Sequence, residues 1–144
     1  MTVEDLYNQA LVALARDRSR AGHLEAPAGQ ATLDNPLCGD RVGMEVRLSG
    51  GRIEAMAHHV RGCVLCEAAA SLLGRAAPGR TAAEIAAARE ALEALLRRGT
   101  PPPEGPFGDL SAFAPVGPVP SRHSCVLLPF DALQAAIAGA REPS

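Results

Sequence analysis

The sequence predicts an α+β domain, a small antiparallel sheet with helices packed on one face. Two patterns and the chain length carry that reading. Val42, Met44, Val46 and Leu48 alternate with Arg41, Gly43, Glu45 and Arg47, a half-buried strand that Ser49-Gly50-Gly51 turns back on itself. Helical stretches flank this hairpin, one before it and three after. The length of 144 residues gives room for one core, so 1–144 is read as a single domain.

The first helix spans 2–18. Val3, Leu6, Tyr7, Ala10, Leu11 and Leu14 share one face, Thr2 is the N-cap, and Glu4 and Asp5 suit the positive helix end. Residues 19–37 hold Gly22, Pro27, Gly29 and Pro36 without a period and read as a long loop with room for a short strand. The return strand of the hairpin carries Ile53, Ala55 and Ala57 on one face and Glu54, Met56 and His58 on the other, and runs on to Val60-Arg61-Gly62-Cys63. Val64 to Arg75, rich in alanine and leucine, is helical and stops at Ala77-Pro78-Gly79. Thr81-Ala82-Ala83-Glu84 has capping-box spacing and opens a helix to about Arg98, ended by Gly99 and Pro101. Residues 99–120 read as a proline-rich irregular loop within the domain, and 125–140 as a last helix, with Pro129 near its first turn or bending it.

Composition excludes several function classes. All fourteen basic residues are arginine, they are scattered, and the only rings of Phe or Tyr type are Tyr7, Phe107, Phe113 and Phe130, so nucleic acid is not a predicted partner. No apolar run reaches the roughly 20 residues a membrane span needs. The N-terminus lacks the basic start of a signal peptide, and a cytoplasmic protein is expected.

In that compartment Cys38, Cys63, Cys66 and Cys125 read as ligands or reactive thiols in preference to disulfides, the competing reading being buried inert thiols. Cys38 and Asp40 flank a glycine in Asn35-Pro36-Leu37-Cys38-Gly39-Asp40. The hairpin then brings Cys38, before its first strand, and Cys63, after its second, to the same edge. Cys63 also starts a helix, where exposed N–H groups favour thiolate. With Cys125, these soft thiolates and one carboxylate make a four-ligand site for zinc or iron.

Three motifs resemble the U-type iron–sulfur scaffold family, which comprises IscU, the N-terminal domain of NifU, and SufU. They are Asn35 to Asp40; Gly51-Arg52-Ile53-Glu54-Ala55 with Gly62-Cys63; and Pro120-Ser121-Arg122-His123-Ser124-Cys125 running on to Leu133. Arg18 to Leu24 resembles the family's loop after the first helix, so the similarity covers nearly the whole chain. Cys63 and Cys125 stand 62 positions apart (125 − 63), an interval that resembles the insertion of SufU-like members. Ser124 stands where IscU-like proteins place a histidine, and the Leu-Pro-Pro-Val-Lys chaperone motif is missing. The resemblance is therefore closest to the SufU subgroup.

The resemblance implies a zinc ion held by Cys38, Asp40, Cys63 and Cys125, with Arg122 steadying Asp40 from behind. It implies that Cys38 accepts persulfide sulfur from a cysteine desulfurase, once a histidine of that enzyme takes its place on the zinc, and that sulfur passes on to downstream iron–sulfur assembly proteins. As an enzyme the chain would be at most a sulfurtransferase acting with the desulfurase. Two alternatives are a scaffold assembling a [2Fe–2S] cluster on the same ligands and a member that keeps the fold without the partner function. Cys66 departs from the family pattern; it is read as a small buried thiol, with exchange for Asp40 as the other option. His58 and His59 are read as structural or surface residues, and the sequence suggests no partner for His23.

Overall fold

A computed structural model describes residues 9–37 and 39–140. Its elements run α1 (Gln9–Asp17), β1 (Gly29–Asn35), β2 (Asp40–Ser49), β3 (Arg52–Arg61), α2 (Val64–Ala76), α3 (Ala82–Arg98) and α4 (His123–Ala138), with 3₁₀ turns over Gly108–Val116 and Pro120–Arg122. The three strands form one antiparallel sheet in the order β1-β2-β3. Helices α2 and α4 lie against the sheet; α1 packs on α2, and α3 packs on α4. This is the expected α+β architecture.

The hairpin forms as its pattern predicts. Ser49 pairs with Arg52 across Gly50 and Gly51, whose φ values of 60° and 77° are those of a tight two-residue turn matched to strand twist. The face assignment of the return strand needs correction. Arg47 pairs with Ala55 but Leu48 pairs with Ile53, so Glu54 is an extra residue on β3. A bulge of this kind switches the side-chain alternation beyond it. Met56 and His58 therefore join Val42, Met44 and Val46 on the core side, all buried, and Ala55 and Ala57 take the other side.

The reading of 19–37 as mainly loop also changes. Gly29–Asn35 is a seven-residue strand paired along β2 from Val46 to Asp40. Gln30, Thr32 and Asp34 alternate with Ala31 and Leu33, but with a single large apolar side chain the period is too weak to stand out in the sequence. Ahead of it, residues 21–28 form a strap. Gly22 N–H donates to the His58 carbonyl at 2.8 Å on the outer edge of β3, and Ala28 N–H donates to the Val46 carbonyl at 2.9 Å on β2. Between these anchors, Leu24 N–H donates to Glu45 Oε1 at 2.9 Å.

Helix α2 buries alanine, leucine and cysteine nearly all round, as a central helix must. Cys66 is fully buried within this core, in agreement with the small-thiol reading. The capping box of α3 is formed by Thr81 and Glu84, and Gly99 closes the helix with φ 70°. The stretch predicted as irregular contains the 3₁₀ segment Gly108–Val116, whose Leu110, Phe113 and Val116 are buried against the helices. Proline and glycine mask such order in the sequence because they interrupt any helical period. Helix α4 starts at His123, two residues before its predicted start, and Pro129 lies buried in its second turn. For α1, Leu11 and Leu14 are buried as expected, Ala10 is exposed, and Thr2, Glu4 and Asp5 lie outside the described residues. Among the described residues no helix is long and apolar enough to cross a membrane.

Candidate metal centre

The open end of the hairpin builds the centre. Arg41 pairs with Arg61, so Asp40 at the start of β2 stands beside Gly62 and Cys63 after β3. Asp40 is only 2% exposed. Its Oδ1 accepts the Cys63 backbone N–H at 3.0 Å, and Oδ2 lies 3.7 Å from the Cys63 sulfur. A buried carboxylate needs such donors. Gly62 makes the approach possible: a Cβ there would lie 2.5 Å from Asp40 Oδ1 and 2.9 Å from its Cγ.

Helix α4 packs across β1 and β2 and delivers Cys125 in its first turn, fully buried. One ligand atom each from Asp40, Cys63 and Cys125 lies within 4.8 Å of the others. Cys63 is the N-cap of α2. Its thiol is pulled down to about 7, chiefly by a hydrogen bond from Cys125; burial opposes this, the N–H groups of Cys66 and Leu65 assist, and the Asp40 charge resists. The helix-start N–H groups thus add to the effect of Cys125 in favouring thiolate at Cys63.

Asn35 frames the turn that leads in. Its side-chain oxygen accepts the Leu37 N–H at 3.1 Å, its carbonyl accepts the Gly39 N–H at 2.8 Å, and its Nδ2 donates to Ser124 Oγ at 2.8 Å. One buried asparagine therefore ties the end of β1 to the start of α4, on either side of the centre. Sequence reading missed this role, although an Asn-Pro pair at a turn is the signal for it. Ser124 spends its hydroxyl on Asn35, and the His123 Nε2 faces the Val116 and Gly117 carbonyls at 3.2 and 3.0 Å. Neither supplies a donor to the cluster. Cys38 lies outside the described residues; its neighbours Leu37, 90% exposed, and Gly39 are at the surface. Arg122 is half-buried in the 3₁₀ turn immediately before α4.

Two thiols and a carboxylate gathered within 4.8 Å of one another are a donor set of the kind that zinc and iron sites use. Comparison with known proteins gives the family. Residues 6–140 match the family described as the NifU-like N terminal domain. The chain is similar to the iron–sulfur cluster assembly scaffold protein IscU of Streptococcus pyogenes serotype M1, 26% identical over 133 residues, 90% of this chain and 84% of that one. It is also similar to the zinc-dependent sulfurtransferase SufU of Bacillus subtilis, 24% identical over 136 residues, 94% of this chain and 92% of that one. The crystal structure of a NifU-like protein (N-terminal) from Brucella abortus superposes with a TM-score of 0.89 at 36% identity, covering 95% of each chain. The chain belongs to the NifU-like N-terminal-domain family of iron–sulfur cluster assembly scaffolds, the family of IscU and SufU.

Proposed function

We propose that this chain accepts persulfide sulfur from a cysteine desulfurase on Cys38, in a zinc centre of Cys38, Asp40, Cys63 and Cys125, and passes it to downstream iron–sulfur assembly proteins. The observation that carries the reading is the convergence of Asp40, Cys63 and Cys125 at the hairpin's open end, with Cys38 two positions before Asp40 in the sequence. Soft sulfur donors with one carboxylate fit zinc. Bound zinc would keep its thiol ligands deprotonated and shielded from oxidants. The name of the Bacillus subtilis relative, a zinc-dependent sulfurtransferase, supports this choice.

The chain's own residues divide the work. Cys63 and Cys125 begin helices whose faces are buried, so displacing either sulfur would disturb packing. Pro36, Leu37 and Gly39, the chain neighbours of Cys38, are exposed, which favours Cys38 as the thiol a partner enzyme can reach. The Cys38 thiolate attacks the outer sulfur of the desulfurase persulfide. A new S–S bond forms on Cys38, the donor's S–S bond breaks, and the enzyme cysteine leaves as thiolate, with no net change in oxidation level. Asp40, steadied by the Cys63 N–H and in this proposal by Arg122, is the hardest donor of the set and leaves the centre exchangeable.

The protein is incubated with a cysteine desulfurase and cysteine, and persulfide is mapped by mass spectrometry. Label on Cys38, abolished by Cys38→Ser, is the expected result, together with one zinc per chain in protein purified without added metal. Label chiefly on Cys125, or an iron chromophore in place of zinc, would instead support [2Fe–2S] assembly on the same ligands.

A further inference from the structure

On the face of the sheet away from α2 and α4, a second set of metal-ligating side chains converges. His23 comes from the strap, Glu45 from β2 and His59 from β3, and one ligand atom from each lies within 4.8 Å of the others. Asp40 and Glu45 are an odd number of residues apart on β2, so they face opposite sides of the sheet, roughly 17 Å apart along the strand. This group is thus separate from the cysteine centre.

Its geometry is that of a built site. The Glu45 side chain is 7% exposed although it faces away from the core. Its Oε1 is fixed by the Leu24 N–H at 2.9 Å, as ligating carboxylates commonly are by a neighbouring donor. Its Oε2 is aimed at two imidazole nitrogens at once, His23 Nδ1 at 2.6 Å and His59 Nδ1 at 3.9 Å. The latter distance is too long for a hydrogen bond. The two rings lie 4.7 Å apart, tilted by 35°. The His59 ring occupies the space a Cβ at Gly43 would need, so the glycine opposite it admits the ring. Burial works to raise the Glu45 pKa; the Leu24 N–H and the His23 and His59 rings outweigh it and hold the carboxyl below its ordinary range.

We propose that His23, Glu45 and His59 bind a first-row divalent transition-metal ion. Two imidazoles and one carboxylate suit zinc, cobalt, nickel or iron(II) and disfavour magnesium and calcium, which prefer all-oxygen sets. Ligands held at ~2.0–2.2 Å from one ion stand ~3–3.5 Å apart. The His23 contact would open by under about 1 Å and the His59 contact would close by a similar amount. Both changes are small ring movements, because the histidine side chains are 70% and 43% exposed. That exposure also leaves coordination positions open to water. Three ligands from three segments would make the ion a clasp between the strap and the sheet.

The test is an anaerobic titration of the metal-free protein with Co²⁺ alone, followed by absorption spectroscopy. Two equivalents per chain are expected. One gives thiolate-to-cobalt charge transfer; the other gives only weak visible bands of nitrogen and oxygen ligation. The double variant His23→Ala/His59→Ala should lose the second equivalent and keep the thiolate band. Cys63→Ser should weaken the thiolate band and keep the second equivalent, which separates failure of this inference from failure of the cysteine centre. Glu45→Gln should weaken the second equivalent at least tenfold. A single equivalent in the wild-type protein, or a second one that survives the double variant, overturns the proposal.

Discussion

A methyl group at position 62 would collide with the Asp40 carboxylate, 2.5 Å from Oδ1. Gly62→Ala should therefore rotate Asp40 away from Cys63 without breaking the sheet. We expect zinc affinity to fall about 10–100-fold, the range seen when a partner that orients a ligand is lost, with an unchanged far-ultraviolet circular dichroism spectrum. Competition against a chelating dye measures it. His58 gives the second prediction at this scale. It is 4% exposed, and its Nε2 donates to the Ser19 carbonyl at 2.7 Å. Burial lowers its pKa; the Ser19 contact opposes this, and Arg18 and His59 add to it. The unfolded chain then takes up a proton near pH ~6.5 that the folded chain refuses. Stability should fall as pH drops below that value and level off once the folded His58 also protonates. Urea denaturation of metal-free protein at pH 7.5 and 5.5 tests the sign. His58→Gln should show a smaller loss between the two; an equal or larger loss contradicts the assignment.

At the scale of elements, the legible features are those whose cause is local. The α3 capping box is one. Thr81 Oγ1 accepts the Glu84 N–H at 3.2 Å, and Glu84 Oε1 accepts the Thr81 N–H at 3.2 Å, as the spacing Thr81 to Glu84 predicts. Thr81→Ala should cost about 1 kcal/mol in urea denaturation, with Thr81→Ser close to wild type. The Gly50-Gly51 turn and the alanine-rich α2 are equally local. The bulge at Glu54 is not. Sequence alternation through β3 is interrupted only by small alanines, which fit either face, so the side taken by Met56 and His58 depends on pairing with β2. Strand β1 likewise exists because β2 offers it an edge.

The centre unites the whole molecule, since its described residues come from the start of β2, the N-cap of α2 and the start of α4. An ion bound there joins the sheet to α2 and α4 and stabilises only the folded chain. At free zinc 100-fold above its dissociation constant, linkage gives about 2.7 kcal/mol. For a domain of this size that is a shift in Tm on the order of 5–10 °C. A strong chelator should lower Tm by that amount, and Cys63→Ser should imitate it. Unchanged melting after confirmed metal loss would count against a structural contribution from this centre.

The four helices, the hairpin and the identity of Asp40, Cys63 and Cys125 as ligand candidates could be read from the chain, because periodicity, turn residues and donor chemistry are local properties of sequence. That Asp40 accepts the Cys63 N–H, that Asn35 ties β1 to Ser124, and that Gly62 must lack a side chain were decided by tertiary contact. The same holds for His23, which no local pattern pairs with anything. It meets Glu45 and His59 only because the strap is hydrogen-bonded across the sheet at both ends, and contacts between residues distant in sequence are fixed by packing and register.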